Sequence, residues 1–247
     1  MIPIKTKADL EGMRAAARVA AEVRDELAEL VRPGMTTGEL SEFAAERMAY
    51  RGAKSAFKGY RGYKGNICVS VNEIVVHGLP GARKIELGDI ISIDVGVVYR
   101  GYIGDTARTV MAGVTDPEVV RLVNVTREAL AAGIARARAG RRVSDISHAI
   151  EKTAVKAGFS VVREFVGHGI GKRMHEEPQI PNFGAAGRGP LLKPGMTLAI
   201  EPMINMGEAE VEVLSDGWSV STCDGRPSAH FEHTVAVCDG EAEILTL

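Results

Sequence analysis

The sequence predicts an α+β fold of two αβ halves related by a pseudo-twofold axis, and three observations carry that expectation. The chain has 247 residues, of which 45% are hydrophobic and 25% charged, which suits one large ordered core rather than a disordered or collagen-like chain. Helical and strand periodicities alternate along it. The second half also echoes the first: Gly34, Gly38, Leu40 and Gly52 return 106 positions later as Gly140, Ser144, Ile146 and Gly158, and residues 87–94 lie over 194–201 at an offset of 107. A shorter echo of 75–79 in 166–170 needs an offset of 91, so insertions separate the pieces. Two repeats of about 110 residues are too long for a solenoid and too few for a propeller. The expectation is one domain over 1–247, with halves at about 1–112 and 113–247.

The elements follow in order. Thr6 and Asp9 form a capping pair, and Leu10, Met13, Ala17, Ala20, Leu27 and Leu30 then recur at helical spacing until Arg32-Pro33-Gly34. Thr37 is expected to cap a second helix with Leu40, Phe43, Ala44 and Met48 inward, ending at Gly52. A Gly- and Lys-rich loop leads to strands, with residues 90–98 apolar enough to be buried on both faces. Asp116-Pro117 opens a third helix, because Asp caps and Pro suits the first helical position.

Charge and composition narrow the function classes. The net charge is −2, so no global positive field holds a nucleic acid backbone, and no direct nucleic acid role is expected. No apolar run approaches the roughly 18 residues of a membrane span, and the opening lacks the apolar core of a secretory signal. Cys68, Cys223 and Cys238 are odd in number and lack CxxC spacing, which suits structural thiols in a reducing cytoplasm.

Four acids sit where apolar strands are expected. Asp94 interrupts residues 90–98, and Asp105, 11 positions on, precedes a β-like segment that a hairpin would return beside the first. Glu201 ends 197–200, and Glu232 lies within 230–237. A buried ion needs a partner, and no Lys or Arg is comparably embedded in these strands. Protonation or divalent cations would relieve the repulsion. An Arg partner or a proton explains any one acid; all four together favour metal. His168, in Gly167-His168-Gly169-Ile170-Gly171, is expected on a glycine-rich turn as a ligand. Carboxylates with an imidazole favour Mn, Fe, Co or Zn over soft copper. His77 and His175 remain as proton donors.

The set Asp94, Asp105, His168, Glu201 and Glu232, in this order and spacing, resembles the dinuclear centre of the methionine aminopeptidases, and the likeness covers nearly the whole chain. The strings 70–73, 101–105, 168–171, His175-Glu176-Glu177-Pro178 and Phe231-Glu232-His233-Thr234 agree as well. The resemblance implies the pita-bread (creatinase/aminopeptidase) fold around a curved antiparallel sheet, and two divalent ions drawn from Co, Mn, Fe, Zn or Ni. By the same resemblance, Asp94 holds one ion, His168 and Glu201 the other, and Asp105 and Glu232 bridge. Glu201 would also relay a water proton to the leaving amine, while His77 and His175 bind substrate and stabilise the intermediate. Tyr60, Tyr63, Cys68, Met174 and Trp218 match the wall of a methionine slot, although spacing alone reads Tyr60 and Tyr63 as surface loop and Trp218 as a hairpin anchor. Asn72, Ile74 and Ser228 match a site for one Na or K ion. The implied substrate is the N-terminal methionine of nascent polypeptides, cleaved when the second residue is small, by a cytoplasmic monomer.

Two positions depart from the family pattern, Met174 and Lys64-Gly65-Asn66, and both are expected at the pocket rim. Only 26 positions separate His175 from Glu201, as in the short bacterial type I enzymes. Arg136, Arg138, Arg141 and Arg142 read as a solvated helix end or, more sharply, as a transient ribosome contact. A proline-specific peptidase of the same fold, usually carrying a further N-terminal domain, is the nearest rival. A metal-free binding module is the rival from another class, disfavoured because all five ligands are present.

Overall fold

The computed structural model describes residues 2–247. The first half runs α1 (Lys7–Leu30), α2 (Thr37–Tyr50), β1 (Lys54–Ser55), β2 (Cys68–Val71), β3 (Ile74–Val76), β4 (Ile90–Tyr99) and β5 (Tyr102–Met111). The second runs α3 (Pro117–Ile134), α4 (Val143–Lys156), β6 (Ser160–Val161), β7 (Gly167–Gly169), β8 (Glu176–Ile180), β9 (Thr197–Ile200), β10 (Met203–Asn205), β11 (Val211–Val213), β12 (Val220–Thr222), β13 (Ser228–His230), β14 (Glu232–Ala236) and β15 (Glu243–Ile244). The central sheet is antiparallel, in the order β1-β4-β5-β14-β9-β7-β8, with β2 on β4 and β15 on β14. Two three-stranded sheets, β13-β10-β6 and β11-β12-β3, flank it.

The helix signals act where the chain places them. Thr6 and Asp9 form a reciprocal capping box on α1, and Asp116 caps α3 with Pro117 as its first residue. The cap of α2 is Thr36, one residue before the expected Thr37, because Thr36 pairs reciprocally with Glu39 three positions on. The helix then stops at Tyr50, before Gly52. Both bounds of α4 fall 106 positions after those of α2. The glycines of the echo share conformations that side chains resist: φ is +93° at Gly34 and +80° at Gly140, and +71° at Gly52 and +81° at Gly158.

Packing divides along the same line. One apolar core joins α1 and α2 to β4 through Leu27, Leu40, Met48, Ile91, Ile93 and Val95. Another joins α3 and α4 to β9 and β14 through Leu122, Leu130, Ile146, Ile150, Leu198 and Val235. Each fully buried aliphatic side chain contributes about 1.5–3 kcal/mol. The helix α1 lies directly on β5: a Cβ at Gly104 would come within 2.6 Å of the Ala16 backbone. That close approach fixes the strand at the residue before Asp105.

Candidate metal centre

The sheet register gathers the acids. Asp94 pairs with Ala107 and Glu232 pairs with the same Ala107, so Asp94, Ala107 and Glu232 form one row across β4, β5 and β14. Asp105 pairs with Gly96, two residues along, and therefore faces the same side. Asp94 and Asp105 are thus diagonal neighbours rather than directly opposed, and small Ala107 leaves the space between the carboxylates open. Ligand oxygens of Asp94, Asp105 and Glu232 all lie within 4.8 Å of one another.

His168 lies on strand β7 and is buried, not on an exposed turn, because the backbone of Gly167-His168-Gly169 pairs with β8 and β9. Its Nε2 is 3.5 Å from Glu201 Oε1 and 4.0 Å from Asp105 Oδ2. Asp105 therefore stands between an Asp94–Glu232 side and a His168–Glu201 side. All five expected ligands are brought together.

Partner accounting separates these groups from ordinary buried polar residues. Among the described residues, eight buried side-chain polar atoms lack a hydrogen-bond partner, and Asp94 Oδ1, Asp105 Oδ1, His230 Nε2 and Glu232 Oε1 are four of them. Orphaned buried polar atoms of this kind cost about 1–3 kcal/mol each, more when charged. Burial raises Asp94 to a pKa of about 7. Burial, then the neighbouring carboxylates, holds Asp105, Glu201 and Glu232 well above the usual range. One cation does approach from behind, which the strand sequences do not reveal. Arg24 of α1 is buried and donates to Thr106 Oγ1 at 2.7 Å, and that hydroxyl donates to the Glu232 carbonyl at 2.9 Å. It forms no ion pair with the cluster, so the anionic oxygens stay free. The donor set, four acids and a neutral imidazole pushed down to a pKa of about 3 by burial, fits divalent ions of hard or borderline character.

The cluster opens on a cavity of about 280 Å³. Its wall includes all five expected slot residues, Tyr60, Tyr63, Cys68, Met174 and Trp218, along with Phe57 and Phe165. Tyr63 is buried, donates its hydroxyl to the Gly78 carbonyl at 3.0 Å, and meets the Trp218 ring edge-on at 5.1 Å. Tyr63 is thus packed inside rather than on the surface, whereas Trp218 does sit in the turn of the β11–β12 hairpin and reaches Tyr63 from there. Lys64, Gly65 and Asn66 do not line the cavity; Asn66 is bonded to Ser41 of α2. Met174 does, so only that departure bears on slot shape.

His77 and His175 also face the cavity. His77 has φ +59° and stacks edge-on against Phe165 at 5.5 Å. Burial, then His175, lowers its pKa to about 4. His175 Nδ1 lies 2.8 Å from the Tyr60 hydroxyl, and its ring is 4.4 Å from that of His168. Burial of its ring, then Arg61, lowers its pKa as well. His230, Met203 and Arg61 also line the cavity and went unassigned in the sequence. For His230 a signal exists: it lies two residues before Glu232, and alternate residues of an extended chain share a face.

Asn72 and Ser228 adjoin, since the Ser228 N–H donates to the Asn72 carbonyl at 2.9 Å. The Asn72 side chain is engaged by Asp89 and the Ile90 N–H, and Ile74 pairs with Ser221.

A buried acid cluster fitted to divalent ions, beside an apolar slot and two uncharged imidazoles, defines a metallohydrolase. The sequence matches the profile of metallopeptidase family M24 over residues 11–239, and the chain belongs to that family. It is 49% identical to methionine aminopeptidase 1 of Bacillus subtilis (strain 168), over 100% of this chain and 99% of that protein. It is 43% identical to methionine aminopeptidase of Escherichia coli (strain K12), over 100% of this chain and 94% of that one. The crystal structure of methionine aminopeptidase from Thermotoga maritima superposes with a TM-score of 0.98 at 47% identity, over 100% of this chain and 99% of that one. Prolidase from Pyrococcus furiosus, at 22% identity and a TM-score of 0.79 over 99% of this chain and 65% of that one, shares the pita-bread fold alone.

Proposed function

We propose that this M24 enzyme removes the N-terminal initiator methionine from nascent proteins when the second residue is small. The observation that carries the reading is the row of partnerless buried carboxylates opening directly onto an aromatic and sulfur-lined slot. A thioether fits such a wall through its polarizable sulfur and flexible chain. Two divalent ions, among Mn, Fe, Co, Zn and Ni, would be held by Asp94 on one side and His168 and Glu201 on the other, with Asp105 and Glu232 between. When bound, such a pair acidifies a water and polarises the scissile carbonyl.

The chain's own groups supply the rest. Glu201 accepts the water proton and delivers it to the leaving amine, a role suited to a carboxyl whose proton affinity burial, then Asp105 and Asp94, raises well above the usual range. With Tyr60 as the donor to His175 Nδ1, 2.8 Å away, the ring proton sits on Nε2, where the substrate carbonyl oxygen can take it. His77, also on the cavity wall, is the second donor. Tyr63, Cys68, Met174 and Trp218 exclude water around the methionine side chain.

The whole chain, 1–247, acts as one catalytic domain whose halves meet near 112. No helix among the described residues is long and apolar enough to cross a membrane. A monomer working in the cytoplasm suits this substrate. A monovalent Na or K ion would sit by Asn72, Ile74 and Ser228, two of them acting through backbone carbonyls. Arg136, Arg138 and Arg142, exposed beyond the end of α3, and half-buried Arg141 would make any transient ribosome contact.

The test is methionine release from Met-Ala-Ser, Met-Leu-Ser and Ala-Pro-Ser by metal-stripped protein reconstituted with Mn, Fe or Co. Metal-dependent cleavage of Met-Ala-Ser alone is expected. Cleavage of Ala-Pro-Ser instead would move the enzyme to the proline-specific branch, and equal cleavage of Met-Leu-Ser would remove the small-residue rule.

A further inference from the structure

One buried nitrogen at the centre is left unused by these roles. His230, the last residue of β13, is 2% exposed, and its Nε2 has no hydrogen-bond partner. That nitrogen lies 3.7 Å from Glu201 Oε2, a little beyond bonding range. The other oxygen of the same carboxylate, Oε1, lies 3.5 Å from His168 Nε2. The two oxygens of Glu201 therefore address two different imidazoles.

The backbone of His230 is fixed from two sides. Thr109 Oγ1 donates to its carbonyl at 2.8 Å and accepts its N–H at 3.0 Å, and the Ser92 hydroxyl lies 2.8 Å from Thr109 Oγ1. Across the small sheet, His230 pairs with Met203, which holds it two residues from Glu201 in the chain. Glu201 lies just outside β9, so its side chain is the freer partner and can close the remaining gap.

We propose that His230 is a positioning residue: its Nε2–H donates to Glu201 Oε2 and holds the carboxylate in one orientation while Oε1 stays on the His168 side. The kinetic consequence rests on the aminopeptidase reading; the geometric claim does not. A leucine at 230 fills similar volume but cannot donate, whereas a glutamine places an amide nitrogen near the Nε2 position and an asparagine falls short of it.

The experiment compares His230→Leu, His230→Gln and His230→Asn with the parent in two readouts: Mn²⁺ titration calorimetry on metal-stripped protein, and steady-state cleavage of Met-Ala-Ser. Leu is expected to weaken Mn²⁺ binding about tenfold and to lower kcat by about tenfold or more, with KM within about twofold. Gln should recover both to within about threefold of the parent, and Asn should not. The thermal midpoint of metal-stripped His230→Leu should not fall, because an orphaned buried nitrogen is replaced by packing. Leu matching the parent in both readouts, or Gln failing as badly as Leu, would overturn the proposal. If the parent itself fails to cleave Met-Ala-Ser, the aminopeptidase reading fails, and the Mn²⁺ isotherms still decide the role of His230.

Discussion

Asp89, just before β4, and Asp94, in the middle of that strand, lie five residues apart, yet they are opposites in partnership. The Asp89 carboxylate is buried and receives Arg83 Nη2 at 3.0 Å, Asn72 Nδ2 at 2.8 Å and the Glu86 N–H at 2.7 Å. Asp94 Oδ1 is buried and receives nothing. A similar contrast holds for cavities. A groove of about 1060 Å³ beside α3 is far larger than the slot, but Arg108, Arg127, Arg136 and Arg138 line it as exposed groups and none of the partnerless buried atoms belongs to it. Burial and size alone do not mark a site; a buried charge left without a partner does.

The predictions probe that contrast, beginning with the largest effect. Glu201→Gln should keep the fold but lower kcat by about 10²–10⁴-fold, since the substituted amide cannot carry the proton. Peptide turnover checks it, and near-parental activity would break the proton-transfer assignment. His77→Ala should lower kcat by about 10–100-fold while calorimetry shows unchanged metal stoichiometry; loss of metal would place His77 among the ligands.

The two aspartates should then respond oppositely. Asp89→Asn should destabilise the protein by about 1–3 kcal/mol in urea unfolding, because Arg83 and the Glu86 N–H lose their acceptor, with turnover per folded molecule unchanged. Asp94→Asn should leave the metal-free protein as stable or more so, because it relieves repulsion, while weakening metal binding. If both lowered metal-free stability alike, partner accounting would not distinguish them.

Acidity sharpens the same point. In metal-free protein Asp94 holds its proton up to about pH 7, and an incoming cation must displace it. Mn²⁺ affinity should therefore rise from pH 6 to pH 8 with proton release visible as a buffer-dependent binding enthalpy. His168, uncharged down to about pH 3, adds nothing to that dependence. A pH-independent affinity would mean that Asp94 and the three acids beside it are already ionised. The smallest effect is expected for Tyr60→Phe, which removes the hydrogen bond to His175 and should cost about 1 kcal/mol of transition-state stabilisation, read as kcat/KM.

Much of this was legible in the chain. Acids inside apolar strands are locally inconsistent, and that inconsistency located Asp94, Asp105, Glu201 and Glu232 without any neighbour being known. The 106-residue offset anticipated the paired helices, down to identical lengths for α2 and α4. Other features depend on contacts distant in sequence. His168 looked like a turn because glycines flank it; the strand exists only through pairing with β8 and β9. Nothing in the helical pattern of α1 singles out Arg24, and it is buried because β5 and the Thr246 carbonyl meet it there. Tyr60, Tyr63 and Trp218 carry no local sign of a shared wall, since Tyr63 and Trp218 lie 155 positions apart in the chain. His230, a lone histidine in a strand, carries no mismatch of its own, and only its alternation with Glu232 marks it.

The most direct measurement is an anomalous-difference map from crystals of the metal-stripped protein loaded with Mn²⁺. Two peaks about 3.5–4 Å apart, one beside Asp94 and the other beside His168 and Glu201, with Asp105 and Glu232 between them, are predicted. Peaks confined to surface acids, or none within the cluster at saturating Mn²⁺, would contradict the claim that these partnerless carboxylates exist to hold metal.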